Sequence, residues 1–378
     1  MADRSTHAMF PDATHDEQVL QDFIKSLRIY ASRNFHANNR ALLKDKVEPQ
    51  LRRKNGARAP SRKTLREAFG REPTYRWYSA MLRTTQEMLY DTVGPSIERQ
   101  LPDLIERSNA LRGRLGSLQL DPDMPLPRYF EAIDYHCKPG SYQQELTADD
   151  VFPGAEFDRT YRLYSMGSYG PDLDGQGRQL IEWIKSRYPE LAPRKVLDLG
   201  CTVGHSTLPY VDAFGPTTEV HAVDVSAPCL RYGHARAVAM GKAVHFSQQN
   251  AEELNFPDGS FELVVSHALL HETSHKAIRR IFKEAHRVLK PGGVMAHLDS
   301  ISKDSHYDRF FTEWMAHFNN EPYLGSLQDE DFAAICKQAG FAPTQCRFEP
   351  AVAQNFGGGA KTDAPVFAFM VIAARKTA

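Results

Sequence analysis

The sequence predicts an α/β protein, with a mainly parallel sheet in its second half and a mainly helical region before it. After about residue 190, short apolar runs alternate with helical segments, as a parallel sheet with helical crossovers requires. Before that point, helical periodicity dominates and β-branched runs are few. We therefore expect a helical domain with a connector over 1–175 and a sheet domain over 176–378, with an insertion at about 300–326.

Seven strands and four intervening helices are expected in the second half. The expected strands are Lys195–Leu199, Glu219–Val223, Ala243–Ser247, Phe261–Ser266, Val294–Asp299, Thr344–Phe348 and Val366–Ala373. The expected helices are Thr207–Phe214, Pro228–Met240, Lys276–Leu289 and Asp329–Ala339. A glycine-rich loop, Phe356–Pro365, separates the last two strands, so we expect them to pair as a hairpin at one sheet edge.

The first half shows amphipathic helical patterns over Asp16–Ala37, Tyr75–Tyr90 and Ser96–Leu111. Pro95 stands just before the third pattern, which favours a helix start there. The stretch Arg40–Glu72 holds eleven Lys or Arg against four Asp or Glu, which is typical of a solvated helical surface or of contact with an anionic partner. Residues 120–175 are rich in Pro, Gly, Asp and Tyr, which predicts a connector made mostly of loops.

Composition excludes several classes of protein. The net charge is −1, which argues against a uniformly basic nucleic-acid binder. Five scattered cysteines show no CxxC spacing, which argues against a disulfide framework and a zinc knuckle. No apolar run approaches the ~20 residues that a membrane helix needs. We expect a soluble cytoplasmic protein.

The segment VLDLGCTVGHST, Val196–Thr207, carries the clearest functional pattern. A strand ends at Leu199, Gly200 and Gly204 follow, and a helix is expected to start near His205. Glycines at this position let the backbone turn sharply and approach a ligand. The N–H groups of a helix start then face that ligand.

Asp224 ends the second strand, where an acidic side chain accepts hydrogen bonds from ribose hydroxyls. A dinucleotide site requires the spacing GxGxxG to approach a pyrophosphate. Here Gly200 and Gly204 are separated by three residues, which disfavours a nicotinamide dehydrogenase. The loop suits a ligand without pyrophosphate that carries a cationic amino-acid end, and S-adenosylmethionine (SAM) is such a ligand.

The run from Lys195 to Ser300 resembles class I SAM-dependent methyltransferases, of the broad group that includes the ubiquinone- and menaquinone-biosynthesis enzymes. Four segments carry this resemblance in order: VLDLGCTVG, VHAVDVS, QQNAEELNFPDGSFELVVS and RVLKPGGVM. The resemblance implies a Rossmann-like, seven-stranded class I methyltransferase sheet, SAM as the methyl donor and methyltransferase activity.

The resemblance also implies a set of cofactor-binding residues. The methionine part of SAM is expected at the first loop, the ribose at Asp224, the adenine near Asn250, and the methyl group near the end of the fourth strand. The full expected set is Asp198, Gly200, Cys201, Thr202, Gly204, Asp224, Val225, Asn250, Ala251, Ser266 and His267. Thr202 stands where a third glycine is common, and Asn250 stands where Asp is common.

His267 and His271 are the candidate catalytic residues. They follow the fourth strand and are four residues apart, so they share a face if this stretch is helical. Imidazoles titrate near neutral pH, which suits removal of a proton from the acceptor. One of them stacking on adenine or capping the backbone is the structural alternative. The carboxylate cluster of metal-dependent catechol methyltransferases is not visible, and no metal is expected.

Two further segments are expected to contact the acceptor. The tyrosine-rich stretch before the first sheet-domain strand often folds over the cofactor in related enzymes, and the insertion after the fifth strand often sets acceptor specificity. The candidates are Tyr142, Tyr161, Trp314, His317 and Asn320. A packed connector and an ordinary core helix remain the structural alternatives.

The leading hypothesis is a metal-independent methyltransferase for a small-molecule acceptor, with a hydroxyl favoured over thiol, amine or carbon. An RNA or protein methyltransferase that uses the basic stretch is one alternative, although nucleic acid is disfavoured because no RNA module is visible. A non-catalytic SAM-binding scaffold is the other. The helical half could form a lid, a homodimer interface or both.

Overall fold

The computed structural model describes residues 7–56, 59–165, 167, 169–301, 306–351 and 369–377. An eight-stranded sheet lies in this described part, with the strand order β1-β4-β3-β2-β5-β6-β8-β7. The strands are β1 Ser117–Gln119, β2 Lys195–Leu199, β3 Glu219–Asp224, β4 His245–Gln248, β5 Phe261–His267, β6 Leu289–Ser300, β7 Cys346–Pro350 and β8 Phe369–Arg375. Neighbours from β1 to β6 pair in parallel, and β8 pairs antiparallel with both β6 and β7.

Fourteen α-helices surround the sheet or precede it in the described residues. They are α1 His15–Leu42, α2 Glu48–Asn55, α3 Arg62–Phe69, α4 Pro73–Glu98, α5 Leu101–Leu111, α6 Arg128–Glu131, α7 Phe152–Tyr164, α8 Gly175–Arg187, α9 Tyr210–Ala213, α10 Ala227–Ala239, α11 His275–Val288, α12 His306–Phe318, α13 Leu324–Leu327 and α14 Phe332–Ala339. The expected fold class, a mostly parallel α/β sheet with a helical N-terminal region, is confirmed.

The sheet differs from the expectation in one strand. β1 comes from the first half of the chain and pairs in parallel with β4 at the sheet edge. It spans three residues, too few to show an alternating pattern. Gly116 precedes it with φ +64°, and a Cβ there would lie 2.1 Å from the carbonyl oxygen of Val244. At the opposite edge β7 pairs with β8, while the loop Phe356–Pro365 lies outside the described residues.

Two local expectations are wrong, and a third, a connector made mostly of loops, holds except for one long helix. Pro95 does not start a helix but lies inside α4, where the neighbouring Val93 and Ile97 are fully buried. Their burial compensates for the hydrogen bond that proline removes. The connector over 120–175 contains a thirteen-residue helix, α7. No helix starts near His205, because regular α-helix begins only at Tyr210, after Pro209.

The insertion packs against the N-terminal helices. Trp314 of α12 lies 4.7 Å from the Tyr78 ring between ring centroids and donates a 2.8 Å hydrogen bond from its indole N–H to the Ser79 hydroxyl. Arg62 and Arg66 of the basic stretch both pair with Glu313 of the same helix. The aromatic contacts and the ion pairs together join α3 and α4 to α12.

Removing the Trp314 ring should destabilise this contact strongly. Trp314 is 4% exposed, so Trp314→Ala should lower the free energy of unfolding by about 3–5 kcal/mol. Trp77 of α4 is 61% exposed, and Trp77→Ala should change it by less than about 0.5 kcal/mol. Urea unfolding followed by circular dichroism measures both. Equal effects of the two substitutions would contradict this packing.

Candidate functional site

A cavity of about 240 Å³ lies where β2, β3 and β5 end at their carboxyl termini. In open α/β sheets, ligands bind outside the carboxyl ends of the strands, where neighbouring connections diverge. The sheet contributes the loops after these strands, and the helical half contributes aromatic side chains from α4 and α7. Both halves of the chain therefore build one cavity.

Asp198 is the carboxylate at the end of β2. It is 2% exposed, and its Oδ2 accepts a 2.5 Å hydrogen bond from the Thr207 hydroxyl. Its Oδ1 is buried without a hydrogen-bond partner and lies 3.4 Å from Nδ1 of His267. A buried carboxylate oxygen without a donor is costly, so this atom is suited to a donor that a ligand supplies.

The loop after β2 turns through left-handed backbone conformations. Gly200 has φ +70°, and a Cβ there would lie 2.6 Å from the Leu269 side chain. Thr202 adopts φ +49°, so a threonine takes the conformation that glycine would adopt more easily. Gly204 has φ +77° and shapes the loop without bordering the cavity.

Asp224 at the end of β3 holds the same loop. It accepts hydrogen bonds from the backbone N–H groups of Thr202, at 2.8 Å, and Ser226, at 2.9 Å. Burial raises the pKa of the Asp224 carboxyl to about 6, although these backbone donors oppose the shift. The carboxylate borders the cavity, where it can also accept hydrogen bonds from ribose hydroxyl groups.

The adenine side of the expected SAM site is formed by the backbone beside Asp224 and the turn after β4. Val225, Asn250 and Ala251 all border the cavity. The side-chain oxygen of Asn250 accepts a hydrogen bond from the Glu252 backbone N–H at 2.9 Å. That oxygen therefore caps the turn, and the amide nitrogen is the group better suited to an adenine edge.

These residues fit SAM. The open oxygen of Asp198 suits an ammonium group, and Asp224 suits a ribose. The loop at Gly200 lets the ligand approach the backbone.

His271 and Asp299 form a dyad beside this cofactor half. Nδ1 of His271 lies 2.6 Å from Oδ1 of Asp299, which is fully buried at the end of β6. The other oxygen of Asp299 accepts from the Leu270 backbone N–H at 2.8 Å. Burial by itself would lower the pKa of His271, but Asp299 and then Glu272 outweigh it and raise the pKa to about 9.

A second histidine, His136, lies between two carboxylates. Its Nε2 is 2.8 Å from Glu272 and its Nδ1 is 3.1 Å from Glu321. Burial opposes the charged form, but the two carboxylates outweigh it and raise the pKa of His136 to about 10. Glu272 also lies 3.9 Å from Nε2 of His271, so it connects the two histidines.

Four members of this group were not among the sequence candidates. His136, Glu272, Asp299 and Glu321 come from four separate segments, and only the folded chain brings them to His271. The adjacency of Glu272 to His271 in the sequence is the signal that could have suggested one of them.

A wall of aromatic rings covers the cavity from the helical half. Tyr161 of α7 stacks at 5.3 Å on His205 and at 5.5 Å on Tyr169. Tyr142 packs edge-on against Phe157 at 5.7 Å. All five of these rings border the cavity, so the tyrosine-rich segment lies over the cofactor half.

Most expected site residues border this cavity. They are Asp198, Gly200, Cys201, Thr202, Asp224, Val225, Asn250, Ala251, His267, His271, Tyr142 and Tyr161. Ser266 does not, because it is fully buried and its hydroxyl lies 2.6 Å from Nδ1 of His297.

Three residues expected to contact the acceptor also lie elsewhere. Trp314 is buried among the N-terminal helices, His317 is exposed, and Asn320 donates to the backbone oxygen of Asp134 at 2.7 Å. Asn319 and Glu321, on either side of Asn320, border the cavity instead. The left-handed conformation of Asn320, with φ +57°, turns the chain here and separates it from its neighbours.

The two candidate histidines do not share a helical face. Ala268 has φ +57°, and a 3₁₀ turn spans Leu270–Glu272, so the chain bends between them. His267 lies 3.2 Å from the Tyr210 hydroxyl through Nε2 and faces Asp198 through Nδ1. His267 therefore supports the cofactor half, whereas His271 belongs to the dyad with Asp299.

Two kinds of feature are absent from the described residues. No group of three or more His, Cys, Asp or Glu in that part of the chain is arranged to hold a metal ion. Among the described helices, none is both long and apolar enough to cross a membrane. All five cysteines are free thiols.

Known proteins resemble this chain over its sheet half. Residues 196–293 match the family model for a methyltransferase domain. A ubiquinone/menaquinone biosynthesis C-methyltransferase of Brucella anthropi is 27% identical over 257 residues, which is 61% of this chain and 88% of the relative. An uncharacterized protein of Haemophilus influenzae is 27% identical over 119 residues, 32% of this chain and 47% of that protein.

A solved structure, the Haemonchus contortus phosphoethanolamine N-methyltransferase 2 in complex with SAM, is 19% identical with a TM-score of 0.40, covering 54% of each chain. The methyltransferase-domain match coincides with the strands and loops that build the cofactor half of the cavity. We conclude that the sheet half of this chain contains a methyltransferase domain of the class I SAM-dependent type.

Proposed function

We propose that this enzyme methylates a small aromatic acceptor that carries a hydroxyl group, and that His271 removes the hydroxyl proton. The observation that carries this proposal is the 2.6 Å contact between His271 and Asp299 inside an aromatic cavity. A base whose second nitrogen is held by a carboxylate keeps its tautomer and orientation. A flat ring fits between the tyrosine side chains that border the same cavity.

The raised pKa of His271 matches this task. A phenolic hydroxyl has an ordinary pKa of about 10, and an ordinary imidazole has one of about 6.5. Proton transfer between such groups is uphill by roughly 5 kcal/mol, at about 1.4 kcal/mol per pKa unit. With its pKa raised to about 9, His271 reduces that cost to roughly 1–2 kcal/mol.

SAM supplies the methyl group when it is bound. Asp198 holds its amino group, Asp224 holds its ribose, and the loop at Gly200 allows the close approach. Methyl transfer also requires an in-line arrangement about 3 Å from the methyl carbon and the exclusion of water. The tyrosines of the helical half that border the cavity help to exclude water from it.

Both oxygen and carbon methylation begin with the same proton removal, because a phenolate carries negative charge on its oxygen and on ring carbons. Because similar proteins are named C-methyltransferases, methylation of a ring carbon is an alternative to methylation of the oxygen. The contact between His271 and Asp299 supports phenol activation in either case.

The basic stretch gives little support to a macromolecular acceptor. Arg40 pairs with Asp308 at 2.8 Å, and Lys46 pairs with Glu72 at 2.8 Å. Together with the pairs that Arg62 and Arg66 make with α12, these contacts account for four of the eleven Lys or Arg in the stretch.

Substitution of the dyad should slow turnover without weakening SAM binding. We expect His271→Ala to lower kcat/KM by about 10²–10⁴-fold, since it removes the general base. In the unmodified enzyme, kcat/KM should rise with pH and level off near pH 9, because only the neutral imidazole accepts the proton. Asp299→Asn should lower the pH of that plateau towards the ordinary histidine value.

Methyl transfer to simple phenols, followed by mass spectrometry across a pH series, measures these effects. His275, which pairs with Glu330 at the surface, provides the matched control, and His275→Ala should leave the profile unchanged. If kcat/KM of Asp299→Asn levels off at the same pH as in the unmodified enzyme, the proposed role of Asp299 in raising the pKa of His271 is wrong.

SAM binding should depend on the ionisation of Asp224. Because the pKa of this carboxyl is raised to about 6, SAM affinity should fall as the pH drops through 6. Asp224→Asn should weaken binding by about 1.5–3 kcal/mol and remove that pH dependence. Calorimetric titration at several pH values tests both. Asp212→Asn, at an exposed ion pair with Lys242, is the control, and unchanged affinity in Asp224→Asn would exclude the ribose role.

The methylated atom should be identified with one substrate series. Phenols whose ortho and para carbons are blocked should still be methylated if oxygen is the acceptor. They should be inert if a ring carbon is the acceptor, because no open carbon remains. Product analysis by nuclear magnetic resonance distinguishes the two results, and turnover of no phenol at all would contradict the proposed function.

A further inference from the structure

The part of the cavity beyond the cofactor residues has a distinct chemical character, and we call it the acceptor lobe. Its members border the cavity and come from α4, the His136 turn, the end of α7, the turn after β5 and the segment after α12. They are Gln86, Tyr90, His136, Tyr164, Glu272, Asn319 and Glu321. No Lys or Arg from the described residues borders this cavity. An anionic substituent on the acceptor would therefore meet no lysine or arginine side chain.

The fixed charges of the lobe add to a negative sum. Glu272 and Glu321 contribute two negative charges, and the imidazolium of His136 between them contributes one positive charge. Protonated His271 and the Asp299 carboxylate carry opposite charges, so this pair leaves the net charge of the lobe unchanged. Glu321 is 4% exposed, so its remaining charge is poorly screened by water.

Two buried amides independently indicate a donor on the ligand. Gln86 and Asn319 are each 1% exposed, and their side-chain oxygens have no hydrogen-bond partner. The Gln86 amide nitrogen donates to the His136 backbone oxygen at 2.7 Å, which fixes the amide orientation. The Asn319 side chain lies beside the Glu321 carboxylate, which assigns the amide nitrogen, the only donor of that side chain, to this side. Both oxygens are thus acceptors without donors.

The aromatic side chains of the lobe agree with this chemistry. Tyr90 and Tyr164 border it with electron-rich rings, and the Arg28 guanidinium already lies 4.9 Å from the Tyr164 ring centroid, so only the uncovered faces are open to a ligand. Burial raises the pKa of both phenols, so the rings stay neutral. An ammonium group has three N–H donors and no acceptor, which matches a carboxylate and two amide oxygens.

We propose that the acceptor carries a protonated amine, and that Glu321, Gln86 and Asn319 bind it as specificity-determining residues. This inference rests on the proposed function for the position of the reacting hydroxyl at His271. The ligand class is a small aromatic amine with the ammonium group on a short side chain, at the end of the molecule away from the methylated group.

The test uses three ligands of one skeleton that lack a phenolic hydroxyl on the ring, so that it is independent of turnover. 2-Phenylethylamine, 2-phenylethanol and 3-phenylpropanoate are cationic, neutral and anionic at pH 7.5. Each is titrated calorimetrically into the full-length protein saturated with S-adenosylhomocysteine. We expect the amine to bind at least about tenfold more tightly than the alcohol, and the propanoate to bind most weakly.

Variants then locate the charge recognition. Glu321→Gln should reduce the ratio of amine to alcohol affinity by about tenfold, and Gln86→Met should reduce it by a smaller factor. Glu313→Gln is the matched control, since Glu313 lies on α12 but pairs with Arg62 and Arg66 outside the cavity. Retained S-adenosylhomocysteine binding shows that each variant is folded.

Each outcome bears on a different claim. Equal affinity for the three ligands, tighter binding of the propanoate, or no binding of any of them overturns the inference. An amine preference that survives both Glu321→Gln and Gln86→Met also overturns it. If the amine is preferred but phenolic amines are not methylated, the amine site stands and the proposed hydroxyl chemistry fails.

Discussion

The site depends on three carboxylates at the carboxyl-terminal end of the sheet, of which Asp198 and Asp299 are buried and Asp224 is half-buried. Asp198, Asp224 and Asp299 stand at or near the carboxyl ends of β2, β3 and β6. A carboxylate removed from water is stabilised by hydrogen bonds, and each of the three accepts them from a neighbouring loop or turn. Asp224 binds the loop after β2, and Asp299 binds the turn after β5. These bonds give the loops their shape and leave oxygen atoms for a ligand or a base.

Similar burial has opposite consequences for different histidines in this fold. The pKa of His205 falls to about 4, because burial outweighs its contact with Asp158 and Arg236 adds to the effect. The pKa of His297 falls to about 3 for the same main reason. His271 is buried and His136 half-buried, but their carboxylate partners reverse the shift in pKa. Neighbouring carboxylates therefore separate the histidines that are protonated at neutral pH from those that stay neutral.

The helical half does more than cover the cofactor. Asp158 of α7 accepts from His205 of the cofactor loop, at 2.8 Å, and from the Tyr232 hydroxyl, at 2.8 Å. It also contacts His7 near the start of the chain at 3.0 Å. This buried cluster ties the N-terminal segment and α7 to the loop that precedes α9. The position of the tyrosine wall is consequently coupled to the shape of the cofactor loop.

Local sequence patterns predicted seven of the eight described strands, the glycine loop after β2 and the methyltransferase class, but not β1. Apolar runs mark β2, β3 and β5, and glycines mark a turn that a side chain would obstruct. Division of the chain at residue 175 stays a prediction.

The acceptor side of the site depends on contacts that only the folded chain makes. His136, His271 and Glu321 meet through contacts across up to 185 residues of chain, and Asn319 rather than Asn320 faces the cavity through one left-handed residue. Such contacts have no local pattern, since they arise from how helices and loops pack.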